Sequence, residues 1–204
     1  MNRRFILTAA LMLISGAALQ ISPAAFGQAA AGANWTVLFN GTSLDGWNRI
    51  GDANWTLADG AVQADKGTGF LVSQQSYGDF DLRAEVWADA DANSGIFIRC
   101  QNPQEVTAMN AYEINIYDKR PDPAYRTGAI VDVARPLAQV SAANRWNVLE
   151  ISARGAHLTV TFNGTSTADA NDSKNARGPI ALQYGAGANG AGAIKFRKVE
   201  IRTY

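Results

Sequence analysis

One cysteine and one histidine in 204 residues close off a good deal of chemistry. A single thiol, Cys100, cannot form an internal disulfide, so folding must rest on a hydrophobic core. A single imidazole, His157, cannot build a Cys/His zinc site, and no G-x-S-x-G elbow offers it a serine to activate. Charge imbalance is missing too: 18 basic residues meet 18 acidic ones, leaving no electrostatic footprint for nucleic acid or an anionic membrane surface. Six prolines beside nineteen glycines, in a chain that is 47% hydrophobic, argue for one compact core rather than a disordered or collagen-like chain.

Long apolar runs are equally scarce. The stretch from Phe5 to Leu19 is shorter than the ~20 residues a bilayer-spanning helix needs. It follows Arg3 and Arg4 and precedes the small residues Ala25, Gly27 and Ala29. Residues 1–27 therefore read as a secretory signal peptide, 28–34 as a linker and 35–204 as the domain itself, with a bacterial periplasm or exterior as the expected destination. No cysteine follows the apolar stretch, so a lipid anchor is unavailable there.

What the sequence does have is alternation. Period-two segments recur between Gly, Asn, Asp and Pro turns: TVLF, GAVQAD, GFLVS, FDLRAEVW, SGIFIRC, AYEINIY, GAIVDV, WNVLEISARG, HLTVTFNG, PIALQYG and IKFRKVEIRTY. No convincing helical stripe interrupts them, which predicts an all-β sandwich of antiparallel sheets. In FDLRAEVW, Phe80, Leu82, Ala84 and Val86 take one face while Asp81, Arg83, Glu85 and Trp87 take the other. The Gly/Ala run at 185–192 reads as a hairpin loop, since no helix follows to complete an anion site. The acidic loop at 88–95 lacks the glycine and terminal glutamate of a calcium loop and reads as a turn. No other ligand cluster for a divalent cation stands out, and no cofactor is expected. His157 reads as a surface residue, and the five N-x-S/T sites at Asn34, Asn40, Asn54, Asn163 and Asn171 are neutral for a bacterial protein.

The segment AYEINIYD places Glu113, Asn115 and Tyr117 on a single strand face. If it pairs with SGIFIRC apolar face to apolar face, Phe97 and Arg99 lie on that same side. Cys100, alternating with Ile96 and Ile98, reads as a buried inert thiol. Two readings of the polar face stay open: an ordinary wet sheet with a surface ion pair worth ~0–1 kcal/mol, or the floor of a site. Carboxylates, arginines, amides and aromatics spread over sheet faces and loops are the groups that handle carbohydrate. Sugar faces stack on aromatic rings, hydroxyls need polar partners and carboxylates transfer protons.

Several stretches together resemble one family across roughly residues 35–204: LFNGTSLDGW, YGDFDLRAEVW, NSGIFIR, YEINIYD, RTGAI, RWNVLEISARGAHLTVTFNG, GPIALQYG and IKFRKVEIR. The family is the 3-keto-disaccharide hydrolases, also called 3-keto-glucoside lyase/hydratases. The resemblance implies a concanavalin-like jelly roll whose concave sheet binds a sugar oxidised at C3 and cleaves it by β-elimination and hydration. Mapped onto this chain, it implies Glu113 as leading proton-transfer group and Asp118 as second. Arg99 would bind substrate or stabilise an enolate, and Asn115, Tyr117, Arg126, Gln183 and Tyr184 would bind substrate, with Thr127 beside Arg126 on a closing loop. Asp118 has the opposite parity to Glu113, so it reaches the same cleft only if the strand ends or bulges at Tyr117.

One departure is visible. The family pattern LQ-x-H-G reads LQYGAG here, so Tyr184 or a carboxylate must stand in for the histidine, or the protein binds without turnover. A carbohydrate-binding module of the same fold is thus the alternative. A conventional retaining glucanase is a third reading, disfavoured because Asn115 occupies the position two after Glu113 where a second carboxylate would be needed. Trp47, Trp55 and Trp146 read as structural plugs, and Asp79 as a turn cap.

Overall fold

The computed structural model describes residues 34–185 and 192–204. The expected signal peptide and the centre of the Gly/Ala run lie outside the described residues. Those described form two antiparallel sheets, with one short 3-10 helix at Pro123–Tyr125.

The larger sheet orders its strands as β11 (Thr165–Asn171), β10 (His157–Phe162), β9 (Trp146–Arg154), β6 (Phe80–Ala88), β13 (Ile194–Thr203), β4 (Ala61–Ala64) and β3 (Thr56–Ala58), with β1 (Thr36–Phe39) also on β13. The smaller orders β2 (Trp47–Gly51), β5 (Gly69–Tyr77), β12 (Gly178–Tyr184), β7 (Ser94–Ile98) and β8 (Tyr112–Ile116). The alternation read in FDLRAEVW is realised, with Phe80, Leu82, Ala84 and Val86 buried against the smaller sheet's Leu71, Ile96, Ile98, Ile114 and Leu182. Three strands had too little alternation to be read: β2, the three-residue β3, and the polar β11, of which only Thr167 and Ala168 are buried. GAIVDV forms only isolated bridges, Ile114 to Ile130 and Ile130 to Ala134. β12 and β13, the strands before and after the Gly/Ala run, lie in different sheets and so do not form the expected hairpin.

The outer face of the larger sheet is a ladder of charge. Arg83 pairs with Glu150, Arg197 and Lys198 with Glu85, and Arg154 and Arg202 with Asp81. Burial opposes ionisation of Asp81, but hydrogen bonds from Arg202, Ser152, Tyr204 and Arg154 outweigh it and hold its pKa far below the usual carboxylate range. Trp146 lies beneath Arg197, ring centroid to guanidinium 3.9 Å, while Trp47 and Trp55 are buried in the core.

Arg99 departs most from expectation. Its φ is +54°, a left-handed conformation that breaks the alternation of β7 directly after Ile98. Instead of sharing a face with Phe97 and Glu113, its guanidinium turns the other way and is fully buried. There Nε donates to Gly78 O (3.0 Å), Nη1 to Gly155 O (2.7 Å) and Asn175 O (3.2 Å), and Nη2 to Asp79 Oδ1 (3.1 Å). Burial pulls the guanidinium pKa down and Asp79 opposes it. Arg99 is thus a clamp between the end of the smaller sheet and the β5–β6 and β9–β10 turns. The same twist sends Cys100 away from Ile96 and Ile98, into a second cluster with Val72, Phe97, Val106, Ala111 and Ala181 on the opposite face.

The backbone at Arg99 is gripped from outside as well, since a Cβ on Gly178 would stand 2.3 Å from Cys100 O and 2.5 Å from Arg99 C. Replacing Arg99 by Met leaves three carbonyls and a carboxylate without their donor, and an expected loss of ~3–5 kcal/mol is measured by urea denaturation. The Cys100 thiol, pushed up to about 12 by burial, is expected to resist iodoacetamide at pH 8 in the native protein and to react once the chain is unfolded.

Candidate functional site

Strand β8 turns Tyr112, Ile114 and Ile116 into the core and Glu113 and Asn115 outward. Register across the smaller sheet then assembles two rows on its outer face. The first runs Glu113, Phe97, Ala181, Val72, Asn48. In the second, Asn115 pairs with Gly95, and Gln183 with Phe70 and through it with Ile50. Gly95 and Gln183 are neighbours, as the flanking pairs Ile96–Leu182 and Asn93–Gly185 require. The segment between β7 and β8 folds Val106 and Ala111 onto the middle of the first row. The rest of this face surrounds the buried Gly95 and is bordered by Glu113, Gln183 and the edge-to-face pair Phe70–Phe97, with ring centroids 5.3 Å apart at 89°.

Gly95 supplies space rather than backbone freedom. A Cβ there would stand 3.3 Å from Glu113 Cγ and 3.4 Å from its Oε1, so the carboxyl reaches over the glycine. Beyond β8, residues 128–131 continue the sheet: Gly128 N donates to Asn115 O (2.9 Å), Asn115 N to Ala129 O (3.0 Å) and Val131 N to Glu113 O (2.9 Å). This covers an otherwise open strand edge and carries Asp132 toward Glu113. Gly128 is obligatory, since its φ is +89° and a Cβ would meet Thr167 at 2.7 Å. Tyr125 and Asp132 line a recess of about 280 Å³ together with Ile130 and Arg135.

The Glu113 carboxyl makes no hydrogen bond among the described residues. Burial, opposed by Arg120 and reinforced by Asp132, pushes its carboxyl up to about 7. Asp132 beside Tyr125 also holds that phenol above its ordinary value. A carboxyl that titrates near neutrality can act both as base and as acid, which a fully solvated one does poorly.

The expected site residues divide. Glu113, Asn115 and Gln183 come together around Gly95. Asn115 is buried, its Nδ2 donates to Tyr125 O, and its Oδ1 has no partner; Gln183 Oε1 is likewise buried and unpartnered. Asp118 does not join them. The strand ends at Ile116, as a role for Asp118 required, but its oxygens accept from Thr127 Oγ1 (2.6 Å), Ser141 Oγ (2.6 Å) and the Ala142 and Ala143 amides. It organises two loops. Tyr184 packs in the core between the sheets, on the side of β12 opposite Gln183, so it cannot stand in for the family's histidine. Tyr117 is buried just past the end of β8, and Arg126 spends its Nε on Arg120 O (3.0 Å). Arg99 is the structural clamp described above.

The sequence reading missed Phe70, Gly95, Arg120, Tyr125 and Asp132 as site residues. The loop members carry no periodic signal, and Gly95 is recognisable only once the strands beside it are placed. Two larger recesses lie elsewhere: one of about 370 Å³ lined by Asn48, Gln74, Gln101 and Arg177, and one of about 460 Å³ by Trp87, Gln63 and Lys195. Neither includes Glu113, nor does the recess at Tyr125 and Asp132. Among the described residues no three His, Cys, Asp or Glu side chains converge on a metal-sized site, and no helix is long and apolar enough to cross a membrane.

Solved structures share this fold, among them proteins named for action on or binding of carbohydrate. A candidate glycosyl hydrolase from Parabacteroides distasonis is 24% identical, with TM-score 0.70 over 84% of this chain and 100% of its own. A second from that organism is 18% identical, with TM-score 0.72 over 83% of this chain and 94% of its own. The carbohydrate-binding module CBM66 from Bacillus subtilis is 17% identical, with TM-score 0.58 over 85% of this chain and 98% of its own. At these identities the likeness is one of fold. No curated protein sequence matches. The model of the 3-keto-alpha-glucoside-1,2-lyase-like domain matches residues 34–202, and the chain belongs to that family.

Proposed function

We propose that this domain cleaves glycosides whose ring carries a C3 ketone, by β-elimination and then hydration, after export to the periplasm or exterior of a bacterium. The observation that carries the reading is Glu113, a desolvated carboxyl without a hydrogen-bond partner among the described residues, lying over Gly95 and titrating near neutrality. The family membership and the carbohydrate-related fold support it.

A C3 ketone acidifies the proton on C2. Glu113 as carboxylate takes that proton, and the C2–H electron pair becomes an enolate shared with the C3 oxygen. Arg120, whose charge already acts on Glu113, supplies a donor for that developing negative charge. Collapse of the enolate forms the C1=C2 double bond and breaks the bond from C1 to the aglycone oxygen, which leaves with the electron pair and is protonated from Tyr125 or water. Water then adds its oxygen to C1, and Glu113 returns its proton to C2. One water is consumed overall, and no redox cofactor is needed.

A second reading, a binding module without turnover, draws on one specific observation: Asp118 and Tyr184, the expected partners of Glu113 in proton transfer, are both committed to structure. Incubation with a 3-keto-glucoside and with its unoxidised parent separates the two. Aglycone release from the ketone alone supports the lyase, saturable binding without release supports the module, and release from the parent rules out the elimination chemistry.

Glu113→Gln is expected to lower kcat by ~10²–10⁴-fold, measured by aglycone release, with the substrate still bound. The same variant tests the environment of the carboxyl. A carboxyl whose folded pKa of about 7 lies above its unfolded value binds more protons folded than unfolded, so it favours folding at low pH. That contribution disappears as pH rises toward and through about 7. Relative to wild type, Glu113→Gln is therefore expected to gain melting temperature between pH 5 and pH 8; a constant difference across that range contradicts the desolvated carboxyl.

A further inference from the structure

The charge ladder on the outer face of the larger sheet has one rung without an anion. Along β13, Arg197 stands opposite Glu85 and Arg202 opposite Asp81, and each pair closes as a salt bridge. Lys198 joins Glu85 as well. Lys195, the remaining cation of that strand, has Trp87 and Gln63 as its cross-strand neighbours instead of a carboxylate. It makes no ion pair among the described residues, and its ammonium lies 5.0 Å from the Trp87 ring centroid.

That same rung floors the recess of about 460 Å³, a volume in the ~300–1,000 Å³ range of small-ligand sites. Register sets Trp87, Lys195, Gln63 and Thr56 in one row across β6, β13, β4 and β3, and all four line the recess. Asn54, Asp65 and Lys66 complete the lining, fixed by their own hydrogen bonds: Asn54 Nδ2 donates to Asp65 Oδ1 (2.7 Å), and Asn54 Oδ1 accepts from the amides of Asp65 and Lys66 (3.0 Å each). The side chains of Gln63, Thr56 and Lys195 make no hydrogen bond among the described residues. An ammonium without a carboxylate, with Lys66 beside it on the lining, calls for a negative charge. Gln63, Thr56 and the second oxygen of Asp65 can exchange hydrogen bonds with hydroxyls, and Trp87 offers an apolar border for ring C–H groups. A sugar bearing a carboxylate has all three features. An acidic peptide has the charge without the hydroxyls, and Asp65 repels a run of carboxylates.

We propose that this recess is a second carbohydrate site, on the opposite side of the sandwich from Glu113, that binds a uronic-acid residue. The carboxylate sits on Lys195, the ring beside Trp87 and the hydroxyls on Gln63 and Thr56. No bond is made or broken there. The site tethers the protein to an acidic glycan while the smaller sheet stays free, and it does not depend on the proposed function.

The test is calorimetric titration of the wild-type protein at low ionic strength with methyl glucuronide, methyl galacturonide, the methyl ester of each, acetate and a tetraglutamate peptide. At least one of the two acids is expected to bind about 10-fold more tightly than its own ester, the worth of one charge-assisted hydrogen bond, and more tightly than acetate or the peptide. Lys195→Gln, which removes the charge and keeps a polar side chain, should weaken that acid about 10-fold and leave its ester unchanged. Trp87→Ala should weaken acid and ester alike, and Glu113→Gln should leave both as they were.

No binding of either acid, equal affinity of each acid and its ester, or an acid affinity unchanged in Lys195→Gln overturns the proposal. Acetate or the peptide binding as tightly as the uronide makes the recess a general anion site and overturns it as well. So does binding lost in Glu113→Gln and kept in Lys195→Gln, which assigns the sugar to the smaller sheet. If Trp87→Ala does not fold, judged by its melting temperature, the ester comparison and Lys195→Gln decide the matter. Uronide binding with the expected Lys195 dependence but no turnover of a 3-keto-glucoside leaves this inference standing and removes the lyase.

Discussion

The buried guanidinium of Arg99 is the interaction on which the rest of the architecture depends. It replaces water with three backbone carbonyls and one carboxylate drawn from three separate segments. An ion this thoroughly removed from solvent is stable only while every partner is in place. It therefore specifies how the end of the smaller sheet meets the turns of the larger. Tyr112 extends the lock, donating to Asp172 Oδ1 at 2.7 Å and accepting from Asn175 N at 3.0 Å. Asn175 O is itself held by Arg99. Three of the stretches that mark the family, YGDF, NSGIFIR and SARG, are remote in sequence and meet at this one ion.

That lock matters to the site because Arg99 is the residue after β7, and its left-handed turn decides which side chains face where. Ile98 stays in the core, Cys100 goes to the outer cluster, and the loop that follows lays Val106 across Phe97 and Val72. The outer face of the smaller sheet is thereby divided into an apolar half and a polar half around Gly95. Glu113 stands at the boundary, where apolar cover removes water from its carboxyl without supplying a hydrogen bond.

Around Gly95 the pairing seen on the larger sheet gives way. On that sheet Asp81 has three donor side chains from basic or phenolic neighbours, and Glu85 has two cations. Around Gly95 an acid is desolvated and two amide oxygens are empty. Stability withheld locally in this way is characteristic of sites whose missing partner is a ligand.

The sequence by itself determined the sheets. Alternation in FDLRAEVW, AYEINIYD and WNVLEISARG specifies which residues face the core, because side-chain direction along a strand follows directly from residue parity. The same parity paired Phe97 with Glu113 correctly. It failed wherever the backbone left the extended region: one positive φ reversed Arg99 and Cys100, and the end of β8 at Ile116 left Asp118 to the loops that consume it. Gln183 and Tyr184 were both legible as members of β12, but which of them faced a ligand awaited knowledge of which side was core. Arg120, Tyr125 and Asp132 were beyond reach, because a loop has no period and its side chains are placed by what the loop packs against. Tertiary structure alone decided the charge state of Glu113, since the protonation range of a carboxyl depends on how much water and which charges surround it, and both are properties of the assembled sheet.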